Sequence, residues 1–257
     1  GNTGPNLIQG GGGDDLLGGR GGNDTLDGGD GFDFATFAAA GVGVEVNLQT
    51  GQAFAGTSVS TLISIEGVWG SAHADRITGD ENTNILRGNG GNDTLDGGGG
   101  FDYADYQVAT GSVSVNLATG VVSGPDGSDT LISIEAVRGS NFNDLLVGDA
   151  QANYFRPGLG DDTIDGGAGN DAVDYRNIVG TVGVNLEEGW ATKGGSGDHE
   201  YEDRLTSIES AVGSQYDDLL IGSSGNNTFR GLGGDDTIDG GGGLDVAVYE
   251  GARSGFT

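Results

Sequence analysis

One apolar side chain recurs every nine residues through most of the chain, each time at the end of a run of turn-forming residues. Gly88 to Asp96 reads GNGGNDTLD, six turn formers followed by Thr94, Leu95 and Asp96. Turn and then very short strand is the predicted local structure. Alternation in such a strand sends Leu95 to one face and its two neighbours to the other. The eighth place of the row therefore points inward. It holds Ile8, Leu17, Leu26 and Ala35, then Ile77, Leu86, Leu95 and Ala104, then Leu146, Phe155, Ile164 and Val173, and last Leu220, Phe229, Ile238 and Ala247, all apolar.

The rows come four at a time in blocks 1–36, 70–105, 139–174 and 213–248, whose starts lie 69, 69 and 74 residues apart. A nonapeptide is thus nested in a unit of roughly seventy residues, and repeats of this kind stack into solenoids. Inserts at 37–69, 106–138 and 175–212 separate the blocks and share a second pattern. Alternating Val44, Val46 and Leu48, or Val113, Val115 and Leu117, predicts a half-buried strand. The turns at Thr50-Gly51 and Thr119-Gly120 with apolar residues beyond them predict a hairpin. Leu62 to Ile65 is then expected to lead back into the stack. Because 69 is not a multiple of nine, the inserts must bulge out or form wider coils. The third is five residues longer, and its Lys193–Asp203 segment, KGGSGDHEYED, is expected to be the most mobile stretch. Residues 249–257 resemble the opening of a further insert, so the chain is expected to be a piece of a longer repetitive protein, here a monomeric fragment.

Composition sharpens this picture. Of 257 residues 56 are Gly and 34% are hydrophobic, too little for a broad core but enough for a stack that buries a few side chains per row. Ten Lys and Arg stand against 39 Asp and Glu, a formal charge of −29, which opposes compaction unless cations bind. The same balance repels nucleic acid and anionic lipid. With no Cys there is neither a disulfide nor a zinc-thiolate site, and no apolar run is long enough to insert in a membrane. What remains as a staple is oxygen ligation of a hard cation.

The sixth place of each row carries Asp or Asn. Calcium takes about six to eight oxygens from carboxylates and carbonyls in a forgiving geometry, and glycine lets a loop curl its carbonyls round an ion. Together these rows resemble the RTX calcium-binding repeats, consensus GGxGxDxUx, a motif associated with calcium-loaded β-helices. The resemblance implies an all-β, right-handed parallel β-roll with two rows, eighteen residues, per turn. It also implies that stacked loops of alternate rows share one Ca2+. Carried onto this chain, that pairs Asn6 with Asp24, Asp15 with Asp33, Asp75 with Asp93, Asn84 with Asp102, Asp144 with Asp162, Asn153 with Asp171, Asp218 with Asp236 and Asn227 with Asp245. Up to about eight ions would offset about 16 of the negative charges.

Rows three and four keep the consensus best, with Gly22, Gly31, Gly91, Gly100, Gly160, Gly169, Gly234 and Gly243 at the fourth place. Earlier rows replace that glycine with His73, Asn82, Phe142, Gln151 or Tyr216, and weaker binding is expected there. For Asn6, Asn84, Asn153 and Asn227 two readings stay open, a purely structural ladder and ligation through the amide oxygen.

No catalytic constellation stands out. His73 and His199 read as solvated surface groups, and His199-Glu200 lacks the second His of a zinc-protease helix. Trp69 and Trp190 read as packing residues, and Arg87, Arg138, Arg156 and Arg230 as partners of nearby carboxylates. Carboxylates in every row give no warrant for choosing two as a glycosidase pair. The expected function is that of a non-enzymatic, calcium-folded segment of a larger secreted or bacterial surface protein, similar to those exported in one step by an uncleaved C-terminal signal. It would act as a structural or adhesive stalk whose inserts meet a glycan or surface partner. The alternative is the calcium-dependent tail of a secreted hydrolase or polysaccharide-modifying enzyme.

Overall fold

The computed structural model describes residues 1–194 and 200–249. They form 28 strands and no helix, an all-β solenoid of the β-roll type. The described residues fall into two compact units, one ending at Arg138 and one beginning at Gly139.

In the first unit, odd rows build one sheet and even rows the other. Leu7–Gly12 lies parallel to Thr25–Asp30 with Ile8 opposite Leu26, and Arg76–Thr78 lies parallel to Thr94–Asp96 with Ile77 opposite Leu95. In the second sheet Leu17 stands opposite Ala35 and Leu86 opposite Ala104. Each pair is eighteen residues apart, so two rows complete one turn. The second unit repeats the register, with Leu146 opposite Ile164, Phe155 opposite Val173, Leu220 opposite Ile238 and Phe229 opposite Ala247. The eighth-place side chains are buried between the sheets at every row except those of Ile8, Ile238 and Ala247, which lie in rows with a neighbour on one side only.

Of the two insert geometries left open, the wider coil is found. Val44–Asn47 and Gln52–Ala55 form the expected hairpin, with Gly51 at φ 64° in its turn. Ser58–Ile63 then adds a third antiparallel strand. This meander is laid into the first sheet in reverse order. Its last strand pairs with the preceding row three, Leu62 opposite Leu26, while its first pairs with the following row one, Val46 opposite Ile77. Gly67–Trp69 then takes an ordinary place in the second sheet, between Phe34–Thr36 and Ile85–Arg87. Ser114–Asn116, Val121–Gly124 and Gly127–Ile132 repeat the meander in the second insert, and Val182–Asn185, Trp190–Gly194 and Glu200–Thr206 in the third. Every main-chain group in the added strands can pair within a sheet, as buried backbone requires.

The tryptophans pack and Arg87 and Arg156 pair with carboxylates as read, but Arg87, Asp105 and Asp174 are buried instead of lying on the surface. Trp69 packs against Phe34 at 5.6 Å, and Arg87 stacks on it at 4.6 Å while its guanidinium bonds Asp105 at 2.6 Å. Arg156 bonds Asp174 at 2.6 Å, and Trp190 donates to Glu188 at 2.7 Å. His73 is exposed, and His199 lies outside the described residues.

The expectation for the Lys193–Asp203 segment needs correction at its two ends. Residues 195–199 lie outside the description, but Lys193 and Asp203 at its two ends are fully buried and ion-paired at 2.7 Å. Charge density suggested exposure, whereas burial here follows from mutual neutralisation.

Candidate metal centre

The sixth-place residues form a hydrogen-bonded ladder. In each predicted pair the later Asp accepts, through Oδ1, the main-chain N–H of the earlier residue. The bonds run from Asn6 to Asp24 and Asp15 to Asp33 at 2.8 Å, from Asp75 to Asp93 at 2.8 Å and Asn84 to Asp102 at 2.7 Å. They continue from Asp144 to Asp162 at 2.8 Å and Asn153 to Asp171 at 2.7 Å, and from Asp218 to Asp236 at 3.1 Å and Asn227 to Asp245 at 2.9 Å. All eight pairs are thus brought together. Eighteen-residue spacing is what places each amide under the next carboxylate.

The second carboxylate oxygen separates the rows chemically. Oδ2 of Asp15, Asp33, Asp93, Asp102 and Asp171 is buried with no hydrogen-bond partner. A buried carboxylate oxygen without a donor is costly, because burial has removed its water. These oxygens belong, Asp15 apart, to rows three and four, where the consensus is best kept. In row one the picture differs. Ser71, Ser140 and Ser214 each donate N–H and Oγ–H to Asp75, Asp144 and Asp218, with N···Oδ2 distances of 2.5–2.6 Å. Those carboxylates are already supplied with donors.

The asparagines are also engaged. Oδ1 of Asn6, Asn84, Asn153 and Asn227 accepts the N–H of Asn2, Asp80, Asp149 and Ser223 at 2.7–2.8 Å. Asn84 and Asn227 also donate through Nδ2 to the carbonyls of Glu66 and Glu209. These bonds describe the structural side of the two readings.

Burial governs the protonation of Asp93, Asp102 and Asp171. It pushes Asp93 and Asp102 up to about 7; the N–H bonds from Asp75 and Asn84 oppose this, and neighbouring charges, Asp129 and Glu135 foremost, add to it. Asp171 rises to about 6 from burial, with Glu209 adding. For a carboxyl whose folded-state pKa exceeds the unfolded one, stability is present at low pH and is lost as pH climbs through the folded value. Without metal, protons take over part of the missing positive charge. The chelated chain is therefore expected to hold more β structure at pH 5 than at pH 8 by circular dichroism.

Glycine shapes the cradle. All eight fourth-place glycines of rows three and four have positive φ, from 94° at Gly22 to 142° at Gly31. Gly91 sits at φ 127°, and a Cβ there would lie 2.5 Å from the carbonyl carbon of His73 in the loop below. Such positions cost a side-chain-bearing residue about 1–3 kcal/mol. Gly91→Ala is expected to lower the unfolding free energy by that order in saturating calcium, read from denaturant titration. Gly90→Ala is the control, since its Cβ would meet nothing closer than 3.7 Å.

Sequence reasoning missed part of the ladder. Asp33, Asp102 and Asp171 donate their own N–H to Glu66, Glu135 and Glu209 at 2.8–2.9 Å. Asp24, Asp93 and Asp162 donate to Ser60, Asp129 and Asp203 at 3.4, 2.9 and 2.9 Å. The recurring Ile-Glu of TLISIEGV, TLISIEAV and LTSIESAV was the available signal for the glutamates.

Among the described residues no three acidic or histidine side chains converge as a metal cluster. A cation at these turns would draw on one or two carboxylate oxygens and on main-chain carbonyls, a donor set suited to a hard ion. The unpartnered Asp oxygens and the glycine cradle fit such an ion.

A parallel roll of nine-residue rows, turned by glycines and edged with buried aspartates, is the architecture of a calcium-binding β-roll. The profile of the RTX calcium-binding nonapeptide repeat matches in four copies, at residues 1–35, 69–104, 138–174 and 212–247, and the chain belongs to that family. No curated protein matches the chain.

Proposed function

We propose that this chain is a non-enzymatic segment of a larger secreted or cell-surface bacterial protein that winds into its β-roll when it meets extracellular calcium. The supporting observation is the set of buried, donorless carboxylate oxygens at Asp33, Asp93, Asp102 and Asp171. A chain with ten Lys and Arg against 39 Asp and Glu, and with such oxygens inside it, has too little positive charge of its own to neutralise them. At low cytosolic calcium the carboxylates repel, and the chain stays extended for export. Outside, sites of this kind bind at about 10⁻⁴–10⁻³ M, and binding energy becomes folding energy.

The long repeat with its regular inserts favours a stalk, which gains length with each copy, over a tail that stabilises an attached enzyme. Turns with an unpartnered oxygen are the strong sites. Row one, where serine supplies the donors, binds weakly.

Small-angle scattering tests the switch. An unfolded chain of this length has a radius of gyration of about 55 Å, against about 18 Å for a compact one, with an elongated fold somewhat above that. Chelated protein at neutral pH is expected near the first value and calcium-loaded protein well below it, while magnesium leaves the chain expanded. Equal dimensions in chelator and calcium would remove the switch.

A further inference from the structure

The three inserts present one constellation in three chemical states. In the third, Lys193 Nζ is held by Asp162 Oδ2 at 2.8 Å, Asp203 Oδ1 at 2.7 Å and the Gly158 carbonyl at 3.0 Å. An ammonium has three donors, and here three oxygens receive them. Tyr175 donates to the other oxygen of Asp203 at 2.9 Å. The lysine is fully buried, charge and stem alike.

Hairpin register identifies the same place in the second insert. Val184 faces Ala191 as Val115 faces Val122, so Lys193 corresponds to Gly124. Asp203 faces Ala191 as Asp129 faces Val122, which makes Asp129 its counterpart. The rest of the shell is present too. Asp93 donates its N–H to Asp129 Oδ1 at 2.9 Å, and Tyr106 donates to Asp129 Oδ2 at 3.1 Å, as Asp162 and Tyr175 do to Asp203. Asn89 stands at the row position of Gly158, both with left-handed φ, 69° and 92°. Only the cation is missing from this set. Asp93 Oδ2, the oxygen that answers to the Lys193 ligand Asp162 Oδ2, is buried without a partner, and Asp93 is 2% exposed. Beside it lies a cavity of about 280 Å³ lined by Asn89, Tyr106, Val113, Gly124 and Asp129, and a Cβ at Gly124 would sit 3.1 Å from Val113 Cγ1.

The first insert has lost the constellation. Ser60 replaces the second aspartate, Phe37 the tyrosine and Ala55 the lysine. A single carboxylate remains there, Asp24.

We propose that Asp93 and Asp129 form a calcium site in the second insert, with one ligand from a nonapeptide row and one from outside it, and that Lys193 is its covalent substitute in the third. The two carboxylates carry two negative charges that a divalent ion neutralises, and an ammonium placed between the same oxygens neutralises one. The third insert is thereby independent of added metal at this point, and it gives the second unit a place from which the roll can begin before calcium arrives. The inference rests on the calcium-binding reading of the repeats.

Counting calcium equivalents on the full chain, by equilibrium dialysis with a far-UV check of folding, tests it. Gly124→Lys transplants the ammonium into the open cavity and is expected to bind one equivalent fewer than the parent. Lys193→Met, which keeps the stem and removes the charge, is expected to bind one more. Gly124→Lys carries the decision, and an unchanged count in that folded variant overturns the proposal whatever Lys193→Met does. Should Gly124→Lys not fold, Asp129→Asn decides in its place, with loss of one equivalent expected and an unchanged count overturning. A parent that binds no calcium at all would instead remove the calcium-folding reading itself.

Discussion

Calcium is expected to shift the denaturation midpoint of this chain further than any single substitution can. Each site that binds only the folded state adds RT ln(1 + [L]/Kd), about 1.4 kcal/mol at tenfold excess over Kd and about 2.7 kcal/mol at a hundredfold. For modules with Kd in the range 10⁻⁴–10⁻³ M, about 10 mM calcium spans that excess. The turns of Asp33 (with its partner Asp15), Asp93, Asp102 and Asp171, four ions, would together contribute about 6–11 kcal/mol, comparable with the whole net stability of an ordinary domain, about 5–15 kcal/mol. Denaturant titrations check this, with a cooperative transition expected at about 10 mM calcium and none in chelator at neutral pH. A midpoint that moves by no more than one site's worth would mean that the buried carboxylates are accommodated without the ion.

The second large effect centres on Lys193. Removing one partner of a buried ion pair leaves an uncompensated charge and costs about 3–5 kcal/mol. Lys193→Met strands two carboxylates, Asp162 and Asp203, both fully or almost fully buried. Burial already pushes both carboxyls upward, and Lys193 is what opposes that shift. The variant is expected to lose about 3–5 kcal/mol at calcium just sufficient to fold the parent, and less at saturating calcium if an ion enters the vacated place. A loss of the same size in both conditions would show a lysine that packs and pairs but marks no cation position. Proteolysis across residues 190–206 gives an independent reading of the same opening.

The rows were legible because their period is short and strict. Nine residues set the strand, the inward eighth place follows from alternation, and eighteen-residue spacing brings Asp75 under Asp93 without information from elsewhere in the chain. The hairpin at Thr50-Gly51 was legible for the same reason, since turn chemistry is local. What lay hidden depends on distant parts of the chain. The meander's reverse entry into its sheet depends on Leu62 facing Leu26, thirty-six residues away, and Val46 facing Ile77, thirty-one away. Asp129 joins the ladder across a similar gap, and alternation alone marks it as one polar residue in a strand. Lys193 was misread because a segment with three glycines, a histidine and four acids looks solvated, and its burial requires Asp162, thirty-one residues earlier.

The row-one sites show a subtler limit. Asp75, Asp144 and Asp218 carry the sixth-place signature as plainly as Asp93 does, yet a serine four residues earlier saturates each of them. The motif records which residue stands at the ladder position. It does not record whether that carboxylate still lacks a donor, and the lack of a donor is what creates the need for an ion.

The most direct test of that need is a crystal structure grown in excess calcium, with long-wavelength anomalous scattering used to place the ions. The account predicts peaks beside Oδ2 of Asp33, Asp93, Asp102 and Asp171, within about 2.3–2.6 Å of carboxylate and carbonyl oxygens. A roll with this register whose row-three and row-four turns carry no anomalous signal would contradict it.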